Sequence, residues 1–121
     1  MRRLKKTNEN LLNLIDLLKT ESWKNKAPIW RDVAERLEKP NKLLAEVNIS
    51  HVKKYAKKNE TIVVPGKLLG AGYIEIPVTL GVFQSSENAR EKILNAGGKV
   101  LTIQELFKKN PKGTGIRIMG K

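Results

Sequence analysis

The chain has 121 residues, with 24 Lys and Arg against 12 Asp and Glu and a formal net charge of +12. That length is one domain's worth and buries enough surface to fold without disulfides or metals. With no cysteine and one histidine, His51, the composition excludes disulfide scaffolds, thiolate zinc sites, Fe–S clusters, cysteine nucleophiles and any mechanism needing two imidazoles. Leu, Ile and Val supply 33 residues, enough for a packed core rather than a disordered chain. No apolar run reaches the ~18 residues of a membrane span. The basic start is not followed by an apolar h-region, because Asn13 and Asp16 interrupt the leucines, so the chain reads as cytosolic.

In chain order, residues 1–7 form a basic arm. Leu11, Leu14, Ile15 and Leu18 share one helical face and predict a helix over 8–22, with Thr7 or Asn8 as N-cap. Residues 23–27 break that pattern. Pro28 then opens a second helix over 28–38, because its missing N–H costs nothing in a first turn; Trp30, Val33, Ala34 and Leu37 form its apolar stripe, and Pro40 ends the helix. A mixed α/β part, 39–121, follows this helical part, 8–38. Alternation over 45–49 predicts a strand, and Ser50 is the candidate cap of a short helix through Tyr55 and Ala56. The β-branched run Thr61–Val64 predicts a strand stopped by Pro65-Gly66, and 68–72 reads as a glycine-marked turn. Val78–Phe83 is a further strand. Ser85 or Ser86 caps a helix running to Ala96 and ended by Gly97-Gly98. Residues 99–101 form a strand, Thr102-x-x-Glu105 is a capping box opening a helix to Lys109, and Ile116 and Ile118 flank Arg117 in a last strand. The fold class expected is α/β, with α+β character, in a single domain.

The positive charge is clustered. Arg2, Arg3, Lys5 and Lys6 crowd the arm; Lys53, Lys54, Lys57 and Lys58 form a second group; Lys108, Lys109, Lys112 and Arg117 form a third with no acid among them. One such cluster is an ordinary solvated face. Three of them on a small domain point to a polyanion, and nucleic acid is the partner they fit best. Nucleotide-binding fingerprints fail: Glu75 stands where a third glycine after Gly70 and Gly72 is needed, and Leu68 replaces the Ser or Thr that must follow Gly66-Lys67. In a basic protein these glycines allow close backbone approach, with Lys67 beside them. Asn110-Pro-Lys-Gly-Thr-Gly-Ile-Arg117 is a second glycine-punctuated loop, able to present Lys112, Thr114 and Arg117 to phosphates. Trp30 is expected in the core, with Arg31 either facing a polyanion or pairing with Glu35 one turn on. The aromatics Trp23, Trp30, Tyr55, Tyr73, Phe83 and Phe107 are scattered in sequence, so recognition by shape and phosphate is expected rather than base stacking.

Three segments carry a family resemblance: Ala27-Pro-Ile-Trp-Arg-Asp-Val-Ala-Glu-Arg-Leu37, Val64-Pro-Gly-Lys-Leu-Leu-Gly-Ala-Gly72 and Asn110-Pro-Lys-Gly-Thr-Gly-Ile-Arg-Ile-Met-Gly120. Glu46–Ser50, and Ala89–Ile93 with Gly97-Gly98, add to it. Together they resemble large-subunit ribosomal protein eighteen of archaea and eukaryotes, the eighteen-e family, over nearly the whole chain. Leu68, where many members carry Val, is a mild departure. The resemblance implies a fold related to bacterial large-subunit protein fifteen, with an irregular β-β-α superhelical core and a basic arm reaching into RNA. It implies a structural constituent of the large subunit bound to large-subunit rRNA and neighbouring ribosomal proteins. No enzyme activity, cofactor, metal, membrane or small-molecule substrate is expected. The short chain resembles archaeal members. A free-standing DNA- or RNA-binding regulator is the alternative, and it lacks a helix-turn-helix or RNA-recognition motif.

Overall fold

Two helices come first, and each is set by its apolar stripe. The structure, a computed structural model, describes residues 9–39 and 44–120. The expected caps Thr7 or Asn8, the stop at Pro40 and the arm residues Arg2, Arg3, Lys5 and Lys6 lie outside these. Helix α1 spans Glu9–Asn25 and ends three residues beyond its sequence signal. Polar side chains feed its final turns: Ser22 Oγ donates to Lys19 O and Asn25 Nδ2 to Glu21 O, both at 2.9 Å. The break narrows to Lys26 and Ala27, with Lys26 at φ +52°. Helix α2, Pro28–Leu37, begins at its proline as expected and buries Trp30, Val33, Ala34 and Leu37.

The remainder is built on a parallel sheet. Strand β1 (Ala45–Asn48) leads into helix α3 (Ile49–Tyr55), followed by β2 (Thr61–Leu69), β3 (Thr79–Ser85), helix α4 (Glu87–Asn95), β4 (Lys99–Thr102), helix α5 (Ile103–Lys109) and β5 (Ile116–Ile118). Every pairing is parallel, in the order β1-β2-β3-β4, with β5 also beside β2. Strand β2 is the axis of the sheet. Along one edge it pairs with β3; along the other its first half takes β5 and its second half takes β1. Buried strands of this kind read as continuous apolar runs, which Ile62–Val64 do.

Pro65-Gly66 does not end β2, contrary to the sequence expectation. The strand runs through to Leu69, with a register shift between Val64 and Lys67. Proline cannot donate to a ladder, so it sits at this irregularity, where β2 changes edge partner. Gly66 is required there: a Cβ would lie 2.0 Å from Ala45 O on β1. Consequently Leu68 and Leu69 belong to the strand, and only the residues from Gly70 onward form the turn. Ser50 is not a cap either. Asn48 holds the cap position of α3 without a side-chain bond, and Ser50 lies in the first turn, its N–H donating to Ala71 O at 3.0 Å. The other caps match: Ser86 Oγ accepts from Ala89 N–H, and Thr102 and Glu105 form a reciprocal capping box.

The two sheet faces carry two cores. On one, Ile62, Val64, Leu80 and Val82 pack with Ile49 and Val52 of α3 and Ala89 and Ile93 of α4. On the other, Val63 packs with Ile15 and Leu18 of α1, the α2 stripe, and Ile103, Leu106 and Phe107 of α5. The chain steps outward from β1 to β4 with α3 and α4 on the first face, then returns through α5 on the second. A change of direction must change face when every crossover keeps one hand. The mixed α/β single domain is thus present, as a sheet between two helical layers.

Candidate nucleic-acid interface

Helix α3 is pinned by two side chains, Ile49 and Val52, one turn apart on its inner face. This leaves His51, Lys53, Lys54 and Tyr55 exposed. Lys53 Nζ lies 4.4 Å from the ring centroid of Tyr73, and Lys54 Nζ lies 5.4 Å from that of Tyr55. The His51 and Tyr55 rings are 4.8 Å apart and tilted. The fold therefore sets lysines over exposed rings, and the distance from Lys53 to Tyr73 along the chain concealed one of these pairings. Cations over ring faces are held in place while remaining solvated.

The chain then turns through Lys57 and Lys58, both exposed. Glu60 closes the turn, accepting the Lys57 backbone N–H on Oε1 at 2.9 Å. Its Oε2 pairs with Arg117 Nε at 2.8 Å, while Arg117 also donates to Tyr55 O at 2.9 Å. Arg117 thus ties β5 to α3, and its charge is met within the protein. Among the described residues, Lys53, Lys54, Lys57, Lys58 and Lys67 make no ion pair; neither do Lys108, Lys109 and Lys112.

The C-terminal loop is organised by Asn110, which sequence reasoning passed over. Its Oδ1 accepts from Gly113 N–H at 3.1 Å and its Nδ2 donates to Thr114 O at 2.9 Å. Its carbonyl accepts the indole N–H of Trp30 at 3.2 Å. Gly113, at φ +70°, lies so close to α2 that a Cβ would meet Ile29 Cγ2 at 2.2 Å. The loop is a clamped structure that projects Lys112 and Thr114 outward, with Lys108 and Lys109 ahead of it on the last turn of α5. The cationic end of α5 is also where the helix dipole favours positive charge.

The other glycine segment has a different role from the one its sequence suggested. Gly72, at φ +91°, packs against Ser50, and the carbonyls of Gly70 and Gly72 converge on Lys92 Nζ at 2.6 and 2.5 Å. Those carbonyls are spent on an internal lysine. Lys67 stands exposed on β2, beside Glu46 in the strand register. Arg31 is exposed and faces Glu35 at 3.8 Å, a loose surface pair. Among the described residues no three His, Cys, Asp or Glu side chains converge to hold a metal, and no helix is long and apolar enough to cross a membrane.

Clamped basic loops, and lysines that make no ion pair among the described residues, can neutralise phosphates. The family described as "Ribosomal protein 60S L18 and 50S L18e" matches residues 2–120. The chain belongs to this family. Large ribosomal subunit protein eL18 of Archaeoglobus fulgidus is 55% identical over 116 residues, covering 96% of this chain and 99% of that protein. The proteins of the same name from Methanoregula boonei and Methanococcus maripaludis are 51% and 46% identical, each over 98% of this chain and 98% and 99% of their own lengths. The L18e match thus covers the helical part, the sheet and the C-terminal loop alike.

Proposed function

We propose that this chain is a structural constituent of the large ribosomal subunit that binds and organises large-subunit rRNA, beside neighbouring ribosomal proteins, in the cytoplasm and without catalytic turnover. The observation that carries this reading is the end-to-end L18e match at up to 55% identity over 96% of the chain. The lysine-rich surfaces supply the mechanism. Each Lys or Arg set against a phosphate releases condensed counterions, and the folded core fixes where those charges sit.

Within this reading, the α3 face with Lys53, Lys54, Lys57 and Lys58, the C-terminal face with Lys108, Lys109 and Lys112, and Lys67 are phosphate contacts. Arg2, Arg3, Lys5 and Lys6 join them on charge alone, and Arg31 contributes through the exposed side of α2. Arg117 contributes indirectly, by holding β5 against α3. Kinship of fold with bacterial large-subunit protein fifteen belongs to the same reading. Whole-length similarity to subunit proteins disfavours a free-standing regulator. The test is the composition of large subunits purified from the native cell. One copy per subunit is expected, retained through a moderate-salt wash. A protein absent from the subunits and found free would overturn the reading.

A further inference from the structure

Trp23 has no reason to be where it is if the isolated fold is the whole story. It lies in the last complete turn of α1 and is 83% exposed, whereas Trp30 is fully buried. Tryptophan is normally highly buried, and an indole left in water forfeits a large hydrophobic contribution. Beside it runs an open groove of about 760 Å³ between α1 and α2, a size that takes a nucleotide-scale ligand. Lys24, Lys26 and Arg31 line this groove with Trp23 and Pro28. Lys19 and Glu35 complete the charged rim; Lys19 is already paired with Glu38 at 2.6 Å.

A second observation concerns Lys26. It holds φ +52° between the helices, the left-handed residue that ends α1, where Ala27 N–H donates back to Ser22 O at 2.9 Å. A position that often takes glycine here carries a lysine, which places a cation on the groove. The first turn of α2, which supplies Pro28 and Arg31, carries no acidic residue, and Ala27 gives it no side-chain cap. That first turn thus adds no anion of its own, and its dipole adds to the positive potential; the acid of the groove is Glu35, which faces Arg31 at 3.8 Å in a loose, exposed pair that a phosphate can replace.

We propose that the α1–α2 groove is a single-nucleotide seat: an unpaired RNA base stacks on the Trp23 indole while its flanking phosphates meet Lys24, Lys26 and Arg31. This rests on the rRNA-binding reading and specifies one place where it is read. Charge complementarity commits the groove to a polyanion, and the exposed ring commits it to a polyanion that carries flat bases. Stacking on aromatic rings tolerates any base but requires one free of its helix, so the seat selects a bulge, loop or single strand over a duplex. Gly113 of the C-terminal loop packs on Ile29 in the same first turn of α2.

The two tryptophans make the test direct, since Trp23 alone reports on the groove. The full-length protein is titrated with an oligoadenylate of about ten nucleotides, with an RNA duplex of the same length, with large-subunit rRNA and, as a polyanion without bases, with polyglutamate. Expected results are quenching of Trp23 emission by the single strand and not by the duplex, and a loss of roughly 5- to 150-fold in oligoadenylate affinity in Trp23→Ala. Trp23→Phe should keep most of the affinity. The salt slope should be unchanged in both variants, because the phosphate contacts remain. Wild-type affinity in Trp23→Ala, or equal quenching by duplex, overturns the seat while rRNA binding stands. Quenching by polyglutamate but not by oligoadenylate would assign the groove to an acidic peptide and also overturn it. Failure of the wild-type protein to bind any of the three RNAs would instead remove the rRNA reading itself.

Discussion

Thr102 and Glu105 show how much a single local motif contributes. The Thr102 backbone N–H donates to the Glu105 carboxylate at 3.0 Å, and the Thr102 hydroxyl accepts from Glu105 N–H at 3.0 Å. The Thr102 backbone hydrogen bond, then the Thr102 side chain, hold the Glu105 carboxyl below its ordinary value, with smaller help from Lys109 and Arg90. A carboxylate lowered in the folded state stabilises fully above its unfolded value, and that contribution is lost as pH falls through the folded value. Urea denaturation should therefore find Glu105→Gln less stable than wild type at neutral pH, with the gap closing in acid. A gap that widens in acid would contradict the sign. Thr102→Ala should cost about 1 kcal/mol, within the ~0.5–2 kcal/mol of lost N-caps. Two other residues tolerate less. Trp30 is buried edge-on against Phe107, ring centroids 5.4 Å apart, and Trp30→Ala should cost about 3–5 kcal/mol. Gly66→Ala drives a methyl into a backbone oxygen and should cost about 1–3 kcal/mol or more, measured by thermal and urea unfolding.

Elements with local signals were legible in the sequence, and those whose shape depends on distant partners were not. The apolar stripe of α2, its proline start, the Ser86 cap and the Thr102 box are written within a turn or two of chain, and the structure has them as read. The sequence alone ends β2 at Val64, because a Pro-Gly pair ordinarily stops a strand. Here the pair sits at the irregularity where β2 leaves β5 and takes β1, a fact held in residues 45–48 and 116–118. The parallel direction of β2 and β3 was also invisible, since no helix joins them. The interface divides in the same way. Clusters of lysine are visible as clusters, but the meeting of Lys53 with Tyr73, and of Arg117 with Glu60, joins residues far apart in sequence. This changes what the C-terminal segment should do when mutated. Lys112→Ala should weaken rRNA binding at unchanged thermal stability. Arg117→Ala should lose about 0.2–1 kcal/mol of stability, because a partly exposed ion pair is removed. Equal stability losses in the two variants would contradict that division.

At the scale of the whole molecule, a net charge of +12 on 121 residues is a standing cost to the free fold through self-repulsion. Phosphates remove that cost, so the surfaces make sense as half of a complex. Strand β2 and its flanking helices provide the rigid frame, and the lysines of α3, of the C-terminal loop and of the α1–α2 groove project from different parts of it. Residues 2–6 add the charges of Arg2, Arg3, Lys5 and Lys6. Deleting residues 2–6 should leave unfolding of the domain unchanged or slightly harder, while flattening the salt dependence of rRNA binding and lowering incorporation in competition with the full chain. Equal incorporation of the two would show the arm to be dispensable. The most direct measurement of the central claim is the affinity of the intact protein for large-subunit rRNA as a function of salt. A log–log slope of about −4 or steeper is predicted, as neutralisation of several phosphates requires; a slope near zero between low and moderate salt would contradict binding through these basic surfaces.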